Sequence, residues 1–294
     1  MYDIENYYNA GSIKEAVSLL KEHPDARIIS GGSDVLIKIR EGKMAGTSLV
    51  SVRDIKEMQG VTLMDSGDIY IGAGTTFSHV TNDPVIRKHI PVLGEAVDQV
   101  GGPQIRNIGT IGGNVCNGAV SADSAPTLFS LNAMLRIADG EGGRTVPIDM
   151  FYLGPGKVDL HRGDVLTHII IPGKEYQGYH GHYIKYSMRN AMDIATLSCS
   201  VVGRIKKETN ILEDVRITFG VAAPVPYRCK KTEAALKGME IGEALYEKIK
   251  EMVREEINPR DSWRASKEFR LQIGGEIAAR ALRETVKIAG GEPS

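Results

Sequence analysis

Cysteine is scarce in this chain: only Cys116, Cys199 and Cys229 occur in 294 residues, far apart and with no Cys-x-x-Cys pair. That spacing excludes a disulfide framework and offers no zinc or iron–sulfur ligand set of ordinary spacing, so any metal centre lies elsewhere. An excess of one charge is missing as well. The 36 basic and 37 acidic side chains leave a formal net charge of −1, which gives no electrostatic reason to expect nucleic acid or an anionic membrane as partner. No apolar run reaches the ~18 residues that a membrane span requires. The start, Met1-Tyr2-Asp3-Ile4-Glu5-Asn6, has neither the basic nor the apolar region of a signal peptide. A cytoplasmic protein is therefore expected. No internal repeat or low-complexity segment stands out.

What the chain does have is length, glycine and a large apolar share. With 42% hydrophobic residues, 294 residues are ample for two or three compact units. Two glycine-rich segments about eighty residues apart hold the best clue: Ser30-Gly31-Gly32-Ser33-Asp34 and Thr110-Ile111-Gly112-Gly113-Asn114. Glycine permits positive φ and close approach of a ligand, and successive bare N–H groups facing one concavity bind an anion. Two such segments suggest a diphosphate gripped from both sides. A Rossmann site would instead need one Gly-x-Gly-x-x-Gly turn between strand and helix. The nearest candidate, Gly72-Ala73-Gly74-Thr75-Thr76-Phe77, carries Phe77 at the third glycine position, so that reading is disfavoured.

The pattern divides into three blocks, 1–55, 56–175 and 180–290. Ser12 can cap a first helix with Glu15 completing a capping box, above an apolar stripe of Ile13, Ala16, Val17 and Leu20 that ends near His23-Pro24. Ala26 to Ser30 reads as a short strand, and Val35, Ile37 and Ile39 alternate beyond it. In the second block, Ile69 to Ala73 and Val165 to Ile171 read as strands. The polar stretch Gly173 to Gly181 is the best boundary. Three longer strands follow, at His182 to Met188, Ala195 to Ile205 and Val215 to Val221, then helices marked by Ile241, Leu245, Ile249, Val253 and Ile257, and by Ile273, Ile277, Ala281 and Leu282. This last block is expected to be a sheet with helices on one face.

The run from Gly102 to Asn117, GPQIRNIGTIGGNVCN, followed by Ser121-Ala122-Asp123-Ser124-Ala125-Pro126, closely resembles the flavin-binding segment of the molybdenum hydroxylases, which include xanthine and carbon monoxide dehydrogenases. The resemblance continues through Leu153 to Lys157, Lys185 to Ala195 and Trp263 to Arg270, and covers essentially the whole chain. It is strongest to the separate FAD-binding subunit of bacterial xanthine dehydrogenase. The implied fold is α+β: a two-part FAD-binding region of the vanillyl-alcohol-oxidase-like (PCMH) type, then a C-terminal antiparallel sheet packed with helices, of the CO-dehydrogenase flavoprotein type.

The resemblance implies that Ile28, Ile29, Ser30, Gly31, Gly32, Ser33, Asp34 and Val35 wrap the FAD pyrophosphate; without it, the segment reads as a tight turn between strand and helix. Thr110, Gly113, Asn114 and Asn117 resemble a second phosphate and ribityl clamp. Asp123 matches a residue that accepts from ribityl hydroxyls; a helix cap before Ala125-Pro126 is its plainer role. Val100 stands where some relatives place an aromatic ring over the adenine, so only apolar packing carries over. Leu166 matches a residue that packs on the isoalloxazine ring, and Lys185 matches a lysine beside it whose charge would tune reduced flavin. No side chain is assigned a catalytic role and no metal ligand is expected. Met192 replaces an acidic residue of the animal enzymes, with Asp193 next to it. Trp263 to Arg270 suits either a subunit contact or a buried anchor. Cys116, without a resolving partner, reads as a small packed hydrophobe.

By the same resemblance the chain is an oxidoreductase subunit of an assembly. A molybdenum-cofactor subunit oxidises a purine, a [2Fe–2S] subunit relays electrons, and FAD here passes them to NAD⁺ or another acceptor. The FAD subunit of a CO dehydrogenase or aldehyde-type hydroxylase is the near alternative. More distant are a stand-alone FAD-dependent oxidoreductase and a nucleotide-binding scaffold without redox chemistry.

Overall fold

The computed structural model describes residues 2–291. Strand β1 (Ile4–Asn9) leads to α1 (Ile13–Glu22), whose start is capped by Ser12 Oγ accepting from the Glu15 N–H, while Glu15 reaches back to the Gly11 N–H. Ala16, Val17 and Leu20 are its buried face. Strand β2 (Arg27–Ile29), helix α2 (Val35–Arg40) and β3 (Thr47–Ser51) complete a parallel sheet in the order β1-β3-β2. The alternation read beyond the first glycine segment is overturned here, because Val35 to Arg40 is helical. Val35, Leu36 and Ile39 pack on Ile29 and Leu49 at the spacing of one helical face. Ile37, the residue that made the pattern look alternating, is exposed.

Next come β4 (Val61–Leu63), β5 (Ile69–Gly72), α3 (Phe77–Asn82), α4 (Pro84–His89), α5 (Pro91–Asp98), α6 (Pro103–Arg106), α7 (Ile111–Cys116) and α8 (Ser124–Ser130). They are followed by β6 (Met134–Ala138), β7 (Arg144–Pro147), α9 (Ile148–Phe151), the short pair β8 (Tyr152–Gly154) and β9 (Lys157–Val158), and β10 (Val165–Ile171). The larger sheet is antiparallel with order β4-β5-β10-β6-β7. Its central strand β10 is buried along nearly its full length, which suits its run of β-branched residues. One apolar cluster joins this sheet, α5, α8 and the buried face of α1.

The C-terminal part is an antiparallel sheet, β11 (His180–Tyr186), β12 (Leu197–Lys206), β13 (Ile211–Gly220) and β14 (Tyr227–Arg228), with α10 (Lys230–Leu236), α11 (Glu243–Glu256) and α12 (Lys267–Ile288). Alternation along β12 explains its burial on both faces. Leu197, Cys199 and Val201 join the cluster containing Ile249, Val253, Ala278 and Leu282. On the opposite side Ser200 receives the Thr127 hydroxyl at 3.2 Å, and Ser130 of α8 donates to Thr218 at 2.9 Å. Helices thus cover both faces rather than one, the second cover being α5 and α8 of the preceding region. Small hydroxyl side chains allow this close approach, and those of Thr127, Ser130, Ser200 and Thr218 each find a partner.

Arg216 of β13 ties the two regions together. Its guanidinium donates to the carbonyls of Ser130 and Glu175, meets the Glu175 carboxylate at 2.8 Å, and lies over the Tyr179 ring. Removing it deprives a largely buried carboxylate of its closest cation, leaving the Asn132 amide at 2.7 Å and Lys174 at 3.9 Å. Arg216→Ala should lower the unfolding free energy by about 3 kcal/mol, read from urea denaturation followed by circular dichroism.

Candidate functional site

The first glycine segment leaves the end of β2 and turns into α2. Gly32 sits at φ +74°, in the left-handed region open to glycine. Gly31 faces the second segment so closely that an added Cβ would lie 2.1 Å from the Ile108 carbonyl oxygen. Both segments therefore border one cleft of about 920 Å³, within the range of a cofactor pocket. Among the described residues, the N–H groups of Gly31, Gly32, Ser33, Asp34 and Val35 donate to no protein acceptor. Five consecutive unspent donors thus border the cleft, the kind of backbone run that can bind an anion.

The second segment works differently from the expectation of a bare loop. Residues 111–116 are the helix α7, with Thr110 as its N-cap. The Gly112 N–H is spent on the Ala73 carbonyl and the Gly113 N–H on Thr110 Oγ1. Gly112 is glycine because a Cβ would collide with Ala73 at 2.5 Å. The side chains supply the donors instead. Asn114 Oδ1 accepts from Ser124 Oγ at 2.7 Å, and Asn117 Oδ1 accepts from Lys38 Nζ at 3.0 Å. Each amide thereby keeps its NH₂ for other partners.

Ile28, Ser30, Gly31, Gly32, Ser33, Asp34, Val35, Val100, Thr110, Gly113, Asn114, Asn117 and Leu166 all line the cleft. Ile29, Asp123 and Lys185 do not. Ile29 is buried beneath the loop against Ile39 and Leu49. Asp123 and Lys185 meet each other at 2.8 Å, both almost wholly buried. Asp123 also accepts from the Tyr183 hydroxyl at 2.8 Å, while Lys185 donates to the Gln99 carbonyl. Burial lifts the Asp123 carboxyl above the usual carboxylate range, opposed by the Lys185 ammonium and the Tyr183 hydroxyl. Although Asp123 precedes α8, its side chain makes no cap hydrogen bond, which removes the plainer role.

Lys185 also borders a second cleft of about 490 Å³, together with Gln99, Gly101, Arg106 and the 186–193 segment. Arg189 and Asp193 pair there at 3.5 Å with Arg189 largely exposed, a contact of small energetic weight. Trp263 is 77% exposed beneath the Arg264 guanidinium, so it is not a buried anchor. The residues that sequence reasoning passed over are Lys38, reaching into the main cleft, and Tyr183, which holds Asp123. Only a helical reading of 35–40 would have placed Lys38 beside the loop.

Residues 2–174 match the family model described as the FAD binding domain in molybdopterin dehydrogenase, and residues 182–285 the CO dehydrogenase flavoprotein C-terminal domain. The chain belongs to this family: it is an FAD-binding oxidoreductase subunit of the molybdenum hydroxylases, and FAD is its cofactor. It is 38% identical over 292 residues to the xanthine dehydrogenase FAD-binding subunit of Escherichia coli O157:H7, covering 99% of both chains. It is 27% identical to the glyceraldehyde dehydrogenase medium chain of Sulfolobus acidocaldarius, covering 97% of this chain and 99% of that one. Carbon monoxide dehydrogenase from Hydrogenophaga pseudoflava has a chain that superposes with a TM-score of 0.91 at 26% identity, over 98% of this chain and 99% of its own. The α+β class expected from the sequence, with a PCMH-type FAD-binding region and a C-terminal antiparallel sheet, is the fold observed. No described helix is long and apolar enough to cross a membrane.

Gly31→Ala should force the two segments apart and weaken FAD binding by at least about a hundredfold, a cost of roughly 3 kcal/mol, measured by quenching of flavin fluorescence. Cys116 lies on the cleft wall, and burial pushes its thiol up to about 12. The group is neutral below that pH, so at about pH 8 it carries on the order of a thousandfold less thiolate than a free cysteine. Iodoacetamide should label it correspondingly slowly in the folded, FAD-free chain, as followed by peptide mass spectrometry.

Proposed function

We propose that this chain is the FAD subunit of a xanthine dehydrogenase, taking electrons from [2Fe–2S] clusters of a partner subunit that also contacts a molybdenum-cofactor subunit, and passing them to NAD⁺ or another acceptor. The observation that carries the reading is the 38% identity to the E. coli xanthine dehydrogenase subunit against 27% to the glyceraldehyde dehydrogenase chain.

The geometry suits the FAD half of that task. The free N–H groups of Gly31 to Val35 would take the diphosphate, with Thr110, Asn114 and Asn117 donating from the other wall and Gly113 allowing close approach. Ile28, Val100 and Leu166 supply apolar wall, Val100 by packing rather than stacking. FAD, when bound, supplies hydride and single-electron chemistry. The chain supplies grip and electrostatics. Asp123 and Tyr183 hold Lys185 in a single buried position, so that its charge faces the smaller cleft without the freedom of a surface lysine.

On this reading the isolated chain contains FAD but neither molybdenum nor iron, and does not oxidise xanthine. Adding the molybdenum and iron–sulfur subunits should make its FAD reducible by xanthine, as seen in rapid-scan absorbance. Xanthine oxidation by this chain alone, or NAD⁺ reduction by a complex stripped of FAD, would refute the relay.

A further inference from the structure

We propose that Lys38 is a further cofactor-binding residue, delivering the positive charge of the diphosphate site across the cleft from α2. The inference rests on the reading of this cleft as the seat of the FAD diphosphate and adds the group that balances its charge.

The diphosphate of FAD carries about two negative charges, which backbone N–H groups solvate without neutralising. Among the described residues, Lys38 is half-buried, lines the cleft, and has no carboxylate within 4.0 Å of its ammonium. Its one protein partner is the Asn117 amide oxygen at 3.0 Å. An ammonium drawn partly out of water and met by a single neutral acceptor has unused donors, and an incoming anion satisfies them. The neighbouring groups point the same way. Asn117 has spent its oxygen on Lys38 and Asn114 has spent its oxygen on Ser124, so both amides retain donors, as do the five N–H groups of the first loop. The other cations that border the cleft differ. Arg27 is exposed, and Arg162 is largely exposed beside Asp25. Lys38 alone among these bridges the two segments that Gly31 brings together, since it leaves α2 and ends on the residue that closes α7.

The test is FAD titration of the full chain with Lys38→Gln, Lys38→Arg and Gly32→Val at low and high ionic strength, with melting of each cofactor-free variant as a folding control. Replacing the charge by a neutral amide should weaken FAD binding about tenfold, the lower end expected for a partly solvated charge-assisted hydrogen bond. It should also flatten the decline of affinity with salt, because a screened charge–charge attraction has been removed. Lys38→Arg should retain both. An affinity within twofold of the wild type for Lys38→Gln, or a salt response unchanged from it, would overturn the proposal. If Gly32→Val abolishes binding in that case, the cleft reading survives and only the role of Lys38 falls; if neither variant affects FAD, both fall.

Discussion

Gly31 and the Ile108 carbonyl are so close that the smallest side chain would not fit between them. That contact brings together the two glycine segments that border the main cleft. It lays the loop after β2 on the segment between α6 and α7, across a parallel sheet on one side and an antiparallel sheet on the other. Once the two backbones touch, their roles separate. The second segment turns its N–H groups inward, onto the Ala73 carbonyl and Thr110 Oγ1, and so becomes the rigid partner. The first keeps its donors free. An anion site needs unspent donors on a backbone that does not collapse onto itself, and one loop braced by the other meets both conditions.

The C-terminal sheet contributes a charged side chain to the smaller cleft. Lys185 on β11 crosses to Asp123 at the start of α8 in a buried pair, which the Tyr183 hydroxyl and the Gln99 carbonyl join as further partners. An isolated buried ion pair adds little net stability, but it does fix the position of the charge. The interface around it is polar in a controlled way, with Thr127, Ser130, Ser200 and Thr218 satisfying one another and Arg216 fastening the far end to Glu175. Such a join has discrete geometry. Lys185 is therefore positioned by the packing of a whole sheet against α8.

Much of this was legible in the chain. Ser12 and Glu15 announced α1, and the β-branched run 165–171 announced a buried strand. The glycine pairs located both segments of the cleft, since only glycine serves where φ is positive or a backbone crosses at contact distance. Thirteen of the residues read as cofactor contacts do border it. The family resemblance reached further than pattern alone, because motif spacing over the whole chain carries more information than any single loop.

What the chain could not determine by itself was the partner of each group. Val35, Ile37 and Ile39 fit a strand as well as a helix over six residues, too few to distinguish a period of 2 from one of 3.6. Only packing on Ile29 and Leu49 decided for α2, and with it the placement of Lys38. Bare glycines do not reveal whether their N–H groups are already spent, so the unlike roles of the two segments emerged only with the turn at Ala73. Likewise Asp123 and Lys185 read as two separate contacts until the fold brought them together at 2.8 Å across 62 positions. Composition and local spacing determined which elements form and which residues suit a diphosphate; long-range contact decided which donors stay free, because a hydrogen bond depends on where its partner lies in space.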